Sequence, residues 1–353
     1  MIETSKLLQD KQYLWELFIR EDEYYSERPE ICTGADIKNK CLEILVPEIS
    51  KYLVENKHIK LVYPDNKKFA LCITHDVDDV YPPFPHRILS SAHCLKDFDL
   101  NGLREQWSWI FRGKEFSPYL NFKKIIELEK EYKAKSTFYF LVSNKDPKRF
   151  RYNIGDLASD LKYIIDSGWD IGLHGGYYTY NDFNDIKEQK NKLEELINKE
   201  VTGYRNHYLR FKVPETWELL KTAGFKYDTT YGYNNIPGFK NGLCHPFKPF
   251  NLNSNKEIDI IEIPLNIMAC ALYKYAKSDE KAWVFTKALI DTVEKYSGVL
   301  TINWHNDDLF SPFRKDWTIL YKKILEYCRQ KNAWMTSCED IWRWWANGRD
   351  NDK

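Results

Sequence analysis

The sequence predicts an α/β fold with a parallel sheet or a barrel at its centre. Short apolar runs alternate with stretches of helical periodicity over roughly 280 residues, which is the pattern of repeated strand–helix units. The chain has 353 residues, of which 43% are hydrophobic and 29% charged, so it can bury a large core. Pro64, Asp65 and Asn66 interrupt the chain just before the first strong apolar run, where the alternation begins.

Seven apolar runs have the length and composition of strands. The predicted strands are Phe69–Thr74, Ser136–Val142, Trp169–Leu173, Thr202–Tyr204, Ile258–Ile263, Val299–Trp304 and Ala333–Thr336. Because helical segments connect them, we expect these strands to run parallel.

Helices are predicted between the strands from periodicity and from their end signals. One apolar face recurs at steps of three and one, in Trp317, Leu320, Tyr321, Ile324, Leu325 and Cys328. Pro214 and Gly224 are placed as the first-turn proline and the terminal glycine of another helix. Ser337 and Asp340 fit a capping box for a last helix that ends in Trp344 and Trp345.

The organisation along the chain follows from these elements. Residues 1–65 are predicted to form a small helical extension, and residues 66–346 the α/β domain. Residues 80–115 carry a proline-rich and Trp-containing stretch, which we interpret as an inserted aromatic loop, and residues 347–353 form a polar tail. Loops at the carboxyl ends of strands carry the site in α/β folds.

Charge and composition exclude several classes of protein. Lys and Arg number 52, as do Asp and Glu, so no broad basic surface is available for a nucleic acid. No apolar stretch approaches the ~18 residues of a membrane span. Residues 1–12 are mostly polar and lack a secretory signal, which predicts a cytoplasmic protein.

The eight cysteines are scattered without a C-x-x-C pair, so we expect reduced, mostly buried thiols and no cysteine-built zinc site.

Histidines follow four of the predicted strands. The first strand is followed by His75, Asp76, Asp78 and Asp79, and the third by His174. The fourth strand is followed by Arg205 and His207, and the strand Val299–Trp304 by His305. Grouped carboxylates repel one another unless a cation or proton offsets them, and imidazole and carboxylate groups are ligands of Zn²⁺. Each residue alone has an ordinary explanation, such as a helix cap, a turn or a loop histidine. Their shared position favours a site.

At these residues the sequence resembles the polysaccharide deacetylase family, the NodB-homology domain of carbohydrate esterase family 4. Seven segments carry the resemblance: Thr74–Asp78 for the first motif, Ser136–Phe140 for an apolar strand, His174 for the second motif, Arg205–Tyr208 for the third, Phe225–Asp228 for a Tyr-Asp pair, Ile261–Pro264 for a strand that contains Glu and ends in Pro, and Leu300–His305 for the last. The resemblance implies a distorted (β/α)7–8 barrel and a metal-dependent removal of an N-acetyl group from an amino sugar or polysaccharide precursor.

The second family motif is incomplete in this chain. Its second histidine should follow His174 by four residues, where Tyr178 stands instead. The resemblance implies Asp78 and His174 as ligands of a divalent metal, with Zn²⁺ favoured. For the third ligand we predict His207, because it closely follows the fourth strand and would face the same edge. His75 is only the second choice for that ligand. It directly precedes Asp76, so its side chain would point to the other face of an extended strand.

The resemblance also assigns the acid and the base. Asp76 would accept the proton of water, His305 would protonate the leaving amine, and Arg205 would keep Asp76 ionised or stabilise oxyanion charge. Five aromatic residues are candidates for stacking on a sugar, although such residues more often pack in the core: Tyr177, Tyr178, Tyr180, Trp107 and Trp109. The expected substrate is an N-acetylated sugar, as a nucleotide sugar or a lipid-linked glycan precursor.

Two alternatives remain open. One is a hydrolase of another C–N bond, in a cyclic amide or imide, on the same scaffold. The other is a catalytically inactive carbohydrate-binding module, which the missing histidine favours and the paired Asp76 and His305 disfavour. A serine hydrolase, an NTPase and a dehydrogenase are not indicated, because the sequence has no nucleophile elbow, phosphate-binding glycine loop or dinucleotide fingerprint.

Overall fold

A computed structural model of the chain describes residues 3–24, 43–143, 145–146 and 152–347. Cys32, Cys41 and nearly all of the predicted polar tail lie outside these residues. The other six cysteines are free thiols, five of them buried and Cys270 exposed, as the sequence predicts. None of the described helices is both long enough and apolar enough to span a membrane.

Eleven strands are formed by the described residues. They are β1 (Ala70–Val77), β2 (Thr137–Leu141), β3 (Asp170–Gly175), β4 (Gly203–Asn206), β5 (Tyr227–Asp228), β6 (Phe250–Asn251), β7 (Lys256–Glu257), β8 (Ile261–Glu262), β9 (Ile267–Met268), β10 (Val299–Asn303) and β11 (Trp334–Thr336).

Nine of these strands form one parallel sheet. Its order is β8-β5-β4-β3-β2-β1-β10-β9, and β11 pairs with β1 beside this path. The sheet curls into the distorted barrel that the sequence predicts, and the α/β fold class is confirmed. β6 and β7 form a separate antiparallel pair. Every residue of β1, β2, β3, β4 and β10 is buried, as expected for parallel strands that are covered on both faces.

Fourteen α-helices of the described residues surround or extend this sheet. They are α1 (Thr4–Leu8), α2 (Gln12–Ile19), α3 (Glu21–Tyr24), α4 (Glu48–Glu55), α5 (Phe84–Lys96), α6 (Leu100–Arg112), α7 (Phe122–Glu131), α8 (Ala158–Asp166), α9 (Phe183–Ile197), α10 (Glu215–Thr222), α11 (Ala269–Ala276), α12 (Asp279–Lys295), α13 (Lys315–Gln330) and α14 (Cys338–Asn347).

The predicted elements agree with the observed ones apart from their ends. The apolar face predicted for α13 is buried from Leu320 to Cys328. Pro214 lies at the N-cap of α10 and not inside its first turn, while Gly224 follows the helix with φ +86°, a conformation that glycine adopts without strain. The predicted strand Ile258–Ile263 contributes only β8, because its first residues carry the turn out of the β6–β7 pair.

Residues 80–115 are the main correction to the predicted organisation. They were expected as an inserted aromatic loop and instead form α5 and α6, an antiparallel helical hairpin. The last proline of this segment, Pro85, lies in the first turn of α5. Proline lacks a backbone N–H, but in the first turn that group has no partner within the helix, so no helical hydrogen bond is lost.

The helices before residue 65 pack against the barrel. Leu8, Phe18, Ile49 and Leu53 are buried in its main hydrophobic core, and the backbone N–H of Ile49 donates to the carbonyl of Gly242 at 2.9 Å. The boundary of this extension at residue 65 stays a prediction.

A buried carboxylate joins the barrel to its outer helices. Glu129 of α7 is fully buried and accepts hydrogen bonds from His75 of β1 at 2.8 Å and from the hydroxyl of Tyr321 of α13 at 2.6 Å. Its second oxygen accepts from Ser136 and from the indole of Trp169. Four donors compensate the cost of removing this carboxylate from water.

The Glu129→Ala variant should lose about 3 kcal/mol or more of unfolding free energy, because four buried donors lose their acceptor. Chemical denaturation monitored by circular dichroism measures this loss. Glu127→Ala, on an exposed position of the same helix, is the control and should change stability by less than about 0.5 kcal/mol. Equal stability of the two variants would show that the buried network contributes nothing.

Candidate metal centre

Three side chains predicted to bind a metal meet at the carboxyl edge of the sheet. Asp78 directly follows β1, His174 lies in β3 and His207 directly follows β4. Since these strands are parallel, their carboxyl ends open on the same edge. One potential ligand atom from each residue lies within 4.8 Å of the other two, and all three residues are buried.

Asp78 is the centre of this cluster. Nε2 of His174 lies 3.2 Å from one of its carboxylate oxygens, and Nε2 of His207 lies 3.2 Å from the other. Burial raises the pKa of Asp78, but the charge of His207 and the hydrogen bond of His174 outweigh burial and hold that pKa well below its ordinary value. The carboxylate is therefore ionised at neutral pH.

Both imidazoles are oriented by a partner on their other nitrogen. Nδ1 of His174 donates to the backbone carbonyl of Arg205 at 2.9 Å, because a carbonyl can only accept, and this contact turns Nε2 toward Asp78. Nδ1 of His207 lies 2.9 Å from a carboxylate oxygen of Asp146, and that oxygen also accepts from the backbone N–H of Tyr177. Metal-binding histidines are held in this way in proteins.

The electrostatics of His207 indicate a site for positive charge. Burial lowers its pKa, but Asp78 and Asp146 on its two sides outweigh burial and raise the pKa to about 9. Two carboxylates against one imidazole attract a proton or a divalent cation. Two imidazole nitrogens and one carboxylate oxygen suit Zn²⁺ among the common cations, and three protein ligands leave a position open for water or substrate. The residues therefore fit the metal that the resemblance implies.

Neither Tyr178 nor His75, the second choice for the third ligand, belongs to the buried cluster. Tyr178, at the position of the missing family histidine, is 57% exposed and packs on Tyr177 and near Arg210. His75 points to the opposite face of β1, where it contacts Glu129 and the carbonyl of Trp304.

Asp76 lies beside the cluster on the same face of β1 as Asp78. Arg205, whose side chain is fully buried, donates to one of its oxygens at 2.9 Å, and the amide of Asn303 donates to the other at 2.8 Å. Burial raises the pKa of Asp76, but the charges of Arg205 and His174 outweigh burial and bring the pKa below its ordinary value.

His305 enters from the other side of β1. It follows β10, which pairs with β1 on the side opposite to β2, β3 and β4. Its Nδ1 lies 3.1 Å from the carboxylate of Asp308, which also pairs with Arg314. Burial lowers the pKa of His305, but Asp308 and the more distant Asp78 and Asp76 outweigh burial and raise it well above its ordinary value.

Four residues of this site were missed in the sequence. Asn303 precedes His305 by two positions, so strand alternation could have placed both on one face. Asp308 follows His305 by three residues, within reach of its ring. Asp146 lies in the segment after β2, where no periodicity marks it. Tyr208 directly follows His207, and its ring lies 4.4 Å from the imidazole.

The aromatic residues predicted to stack on a sugar lie in different parts of the structure. Tyr177 and Tyr208 are in edge contact near His207, and Arg210 lies over the rings of Tyr177 and Tyr180. Tyr180 is buried, and the indole N–H of Trp107 donates to Ser91 between α5 and α6, at 2.6 Å. The side chain of Trp109 lies outside the described residues. Sugar stacking stays a prediction.

Comparison with known proteins bears on the fold. No family model matches the sequence, and no curated protein matches it. A solved structure from Mycobacterium smegmatis, assigned as a polysaccharide deacetylase, is 17% identical, with a TM-score of 0.53 over 80% of this chain and 92% of that one. The Puue allantoinase is 15% identical, with a TM-score of 0.54 over 84% of this chain and 97% of that one.

These likenesses define the class of fold. This chain has the fold of the NodB-homology domain, the polysaccharide deacetylase fold to which its motifs point.

We expect the metal-free protein to bind one Zn²⁺ per chain. His174→Ala and His207→Ala should weaken binding by more than the roughly 10–100-fold expected for Asp146→Asn, because they remove ligands while Asp146 only orients one. Titration with a competing chelator measures these affinities. His58→Ala, at an exposed histidine far from the cluster in sequence, is the control. Equal affinity in all variants would rule out the site.

Proposed function

We propose that the protein is a metal-dependent hydrolase that removes an N-acetyl group from an amino sugar or polysaccharide precursor. The observation that carries this proposal is the buried cluster of Asp78, His174 and His207, flanked by the ion pair of Asp76 with Arg205 and by the pair of His305 with Asp308. A binding module needs no such combination of a base and an acid around one cation site.

The cation would be held by Asp78, His174 and His207. Such a cation would polarise a carbonyl oxygen as a Lewis acid and would lower the pKa of bound water to about 7.

Asp76 is the proposed general base. It lies at the edge of the cluster, 3.9 Å from Nε2 of His174, and Arg205 and Asn303 fix both of its oxygens. As water adds to the acetyl carbonyl, Asp76 accepts its proton. Arg205 keeps the carboxylate ionised until that step, because the guanidinium is fully buried and has Asp76 as its counter-ion.

His305 is the proposed general acid. Its raised pKa keeps it protonated near neutral pH, so it can donate to the nitrogen of the amine as the C–N bond breaks. Asp308 holds the ring through Nδ1 and directs the other nitrogen away from itself. A base on β1 and an acid that follows the neighbouring β10 suit the two proton transfers of amide hydrolysis.

The proposed substrate class depends on the family motifs and on the fold. An N-acetylated sugar is supported by the motifs at Asp76, His174 and His305 and by the fold shared with a protein assigned as a polysaccharide deacetylase. A second candidate is hydrolysis of a cyclic amide or imide, because the fold is shared to a similar degree with an allantoinase. Both reactions break a C–N bond next to a carbonyl and use the same acid and base.

A substrate panel separates the two candidates. The zinc-loaded protein should release acetate from one of three N-acetylated amino sugars, presented free, nucleotide-linked or lipid-linked, and should open no cyclic ureide. Ring opening without acetate release would reverse the assignment.

The role of Asp76 can be tested on the same substrate. Asp76→Asn should retain zinc and lose about 10²–10⁴-fold in turnover, because the amide has the size of the carboxylate but cannot accept a proton from water. Asp166→Asn, at an exposed carboxylate of α8, is the control and should be fully active. If Asp76→Asn loses zinc as well, Asp76 is a ligand and the proposed assignment of roles is wrong.

The role of Asp308 appears in the pH profile. His305 must be protonated to act as acid, so activity falls as pH rises through its pKa. Asp308 raises that pKa; Asp308→Asn should therefore move the alkaline limb of the rate profile to lower pH. The measurement is kcat/KM against pH for both proteins. An unmoved alkaline limb would exclude His305 as the acid paired with Asp308.

A further inference from the structure

The hairpin of α5 and α6 exposes apolar side chains and buries small or polar ones, which is the reverse of the usual arrangement in helices that face water. Fifteen large apolar or aromatic side chains of the described residues are exposed, and seven of them lie between residues 84 and 111. We call these seven the outer hairpin face: Phe84, Ile88, Leu89, Leu95, Phe98, Leu100 and Phe111. The buried residues of α5 are instead Ser90, Ser91 and Cys94. Surface helices normally bury their apolar stripe and expose their polar one.

Helical geometry places these exposed side chains on continuous stripes. Phe84, Ile88 and Leu95 share one side of α5, and Leu100 and Phe111 share one side of α6. Phe98 forms the turn between the helices with φ +54° and is 90% exposed. So many exposed apolar side chains on one hairpin mark a surface that becomes covered.

The charges around the outer hairpin face favour an anionic partner. Lys96 and Arg104 are exposed and form no ion pair with the described residues, and Arg104 lies on the same side of α6 as Leu100 and Phe111. The acidic residues are neutralised from outside the hairpin. Lys315 pairs with Asp97 at 2.9 Å and with Asp99 at 3.5 Å. Lys124 pairs with Glu105 at 2.7 Å.

We propose that this hairpin docks the protein on the surface of an anionic membrane. Apolar side chains interspersed with Lys and Arg on protruding helices match the headgroup boundary of a bilayer, where each side chain is buried without a shaped partner. The hairpin would lie on the membrane and would not cross it.

The hairpin is fixed to the rim of the candidate site. It begins six residues after Asp78, and the rings of His86 and His93 on α5 pack against Phe313 in the segment that follows His305. The amide of Asn306 donates to the backbone carbonyls of Asp79 and Tyr119, which connects that segment to both ends of the insertion.

Docking therefore brings the rim of the site close to the lipid surface. This consequence rests on the proposed function: the N-acetylated sugar would be a precursor attached to a lipid, and not a soluble nucleotide sugar.

Sedimentation with vesicles tests the docking surface directly. The metal-free protein should sediment with vesicles of phosphatidylcholine and phosphatidylglycerol in equal parts, and much less with phosphatidylcholine alone. The triple variant Phe98→Ser, Leu100→Ser and Phe111→Ser should bind at least about tenfold more weakly. The double variant Lys96→Gln and Arg104→Gln should bind the anionic vesicles more weakly, and its binding should depend less on salt concentration, because two cationic contacts with the lipid are removed.

A matched control changes exposed apolar residues elsewhere. Val62, Val284 and Ile319 are each 62% exposed, and their triple replacement by serine should leave vesicle binding unchanged. Equal binding by the two triple variants, or no sedimentation of the unaltered protein, would overturn the proposal. So would an oligomer, seen by light scattering, that only the hairpin variant dissociates, because the covering partner would then be a second copy. The assay requires neither zinc nor turnover, so its failure is distinct from failure of the proposed function.

Discussion

The structure depends on how two buried carboxylates at the end of β1 are compensated. Asp76 and Asp78 project from the same face of a strand that is buried along its whole length. An uncompensated buried carboxylate would cost several kcal/mol, roughly, so each needs positive charge from a neighbouring strand. Arg205 supplies it to Asp76, while His174 and His207 converge on Asp78. The parallel sheet makes this possible, because it brings the carboxyl ends of β1, β3, β4 and β10 to one edge.

The two carboxylates are compensated differently, and the difference separates their roles. A guanidinium is a permanent cation, so Asp76 has a fixed partner and is held ionised, as the proposed role of general base requires. Imidazoles are neutral when they bind a metal, so the charge that satisfies Asp78 can be a divalent cation. In the proposed ligand set the third imidazole is His207 from the end of β4, with Asp146 behind it. The resemblance implies a histidine of the second motif in that role, so the proposal changes which strand supplies the ligand and keeps two imidazoles and one carboxylate.

Much of this arrangement could be predicted from the sequence, because it depends on strand ends. Apolar runs mark the long strands, and His174, His207 and His305 lie at or just after the ends of strands, so their meeting at one edge follows from parallel topology. Asp146 could not be found, since nothing local marks a residue that acts only through a distant histidine. The two-residue strands β5 and β9 are too short for a period-two pattern. The loop predicted for residues 80–115 rests on the prolines up to Pro85 and on Trp107 and Trp109, but a proline in the first turn is compatible with a helix, and α5 and α6 form there.

The central claim is that Asp78, His174 and His207 bind one divalent cation. X-ray absorption at the zinc edge of the zinc-loaded protein tests it most directly, because the spectrum reports the atoms that contact the metal. We predict a site with two imidazole nitrogens at ~2.0–2.1 Å and oxygen ligands at ~2.0–2.2 Å, in which His207→Ala leaves a single imidazole. A spectrum without imidazole scattering, or one that His174→Ala and His207→Ala leave unchanged, would contradict the account.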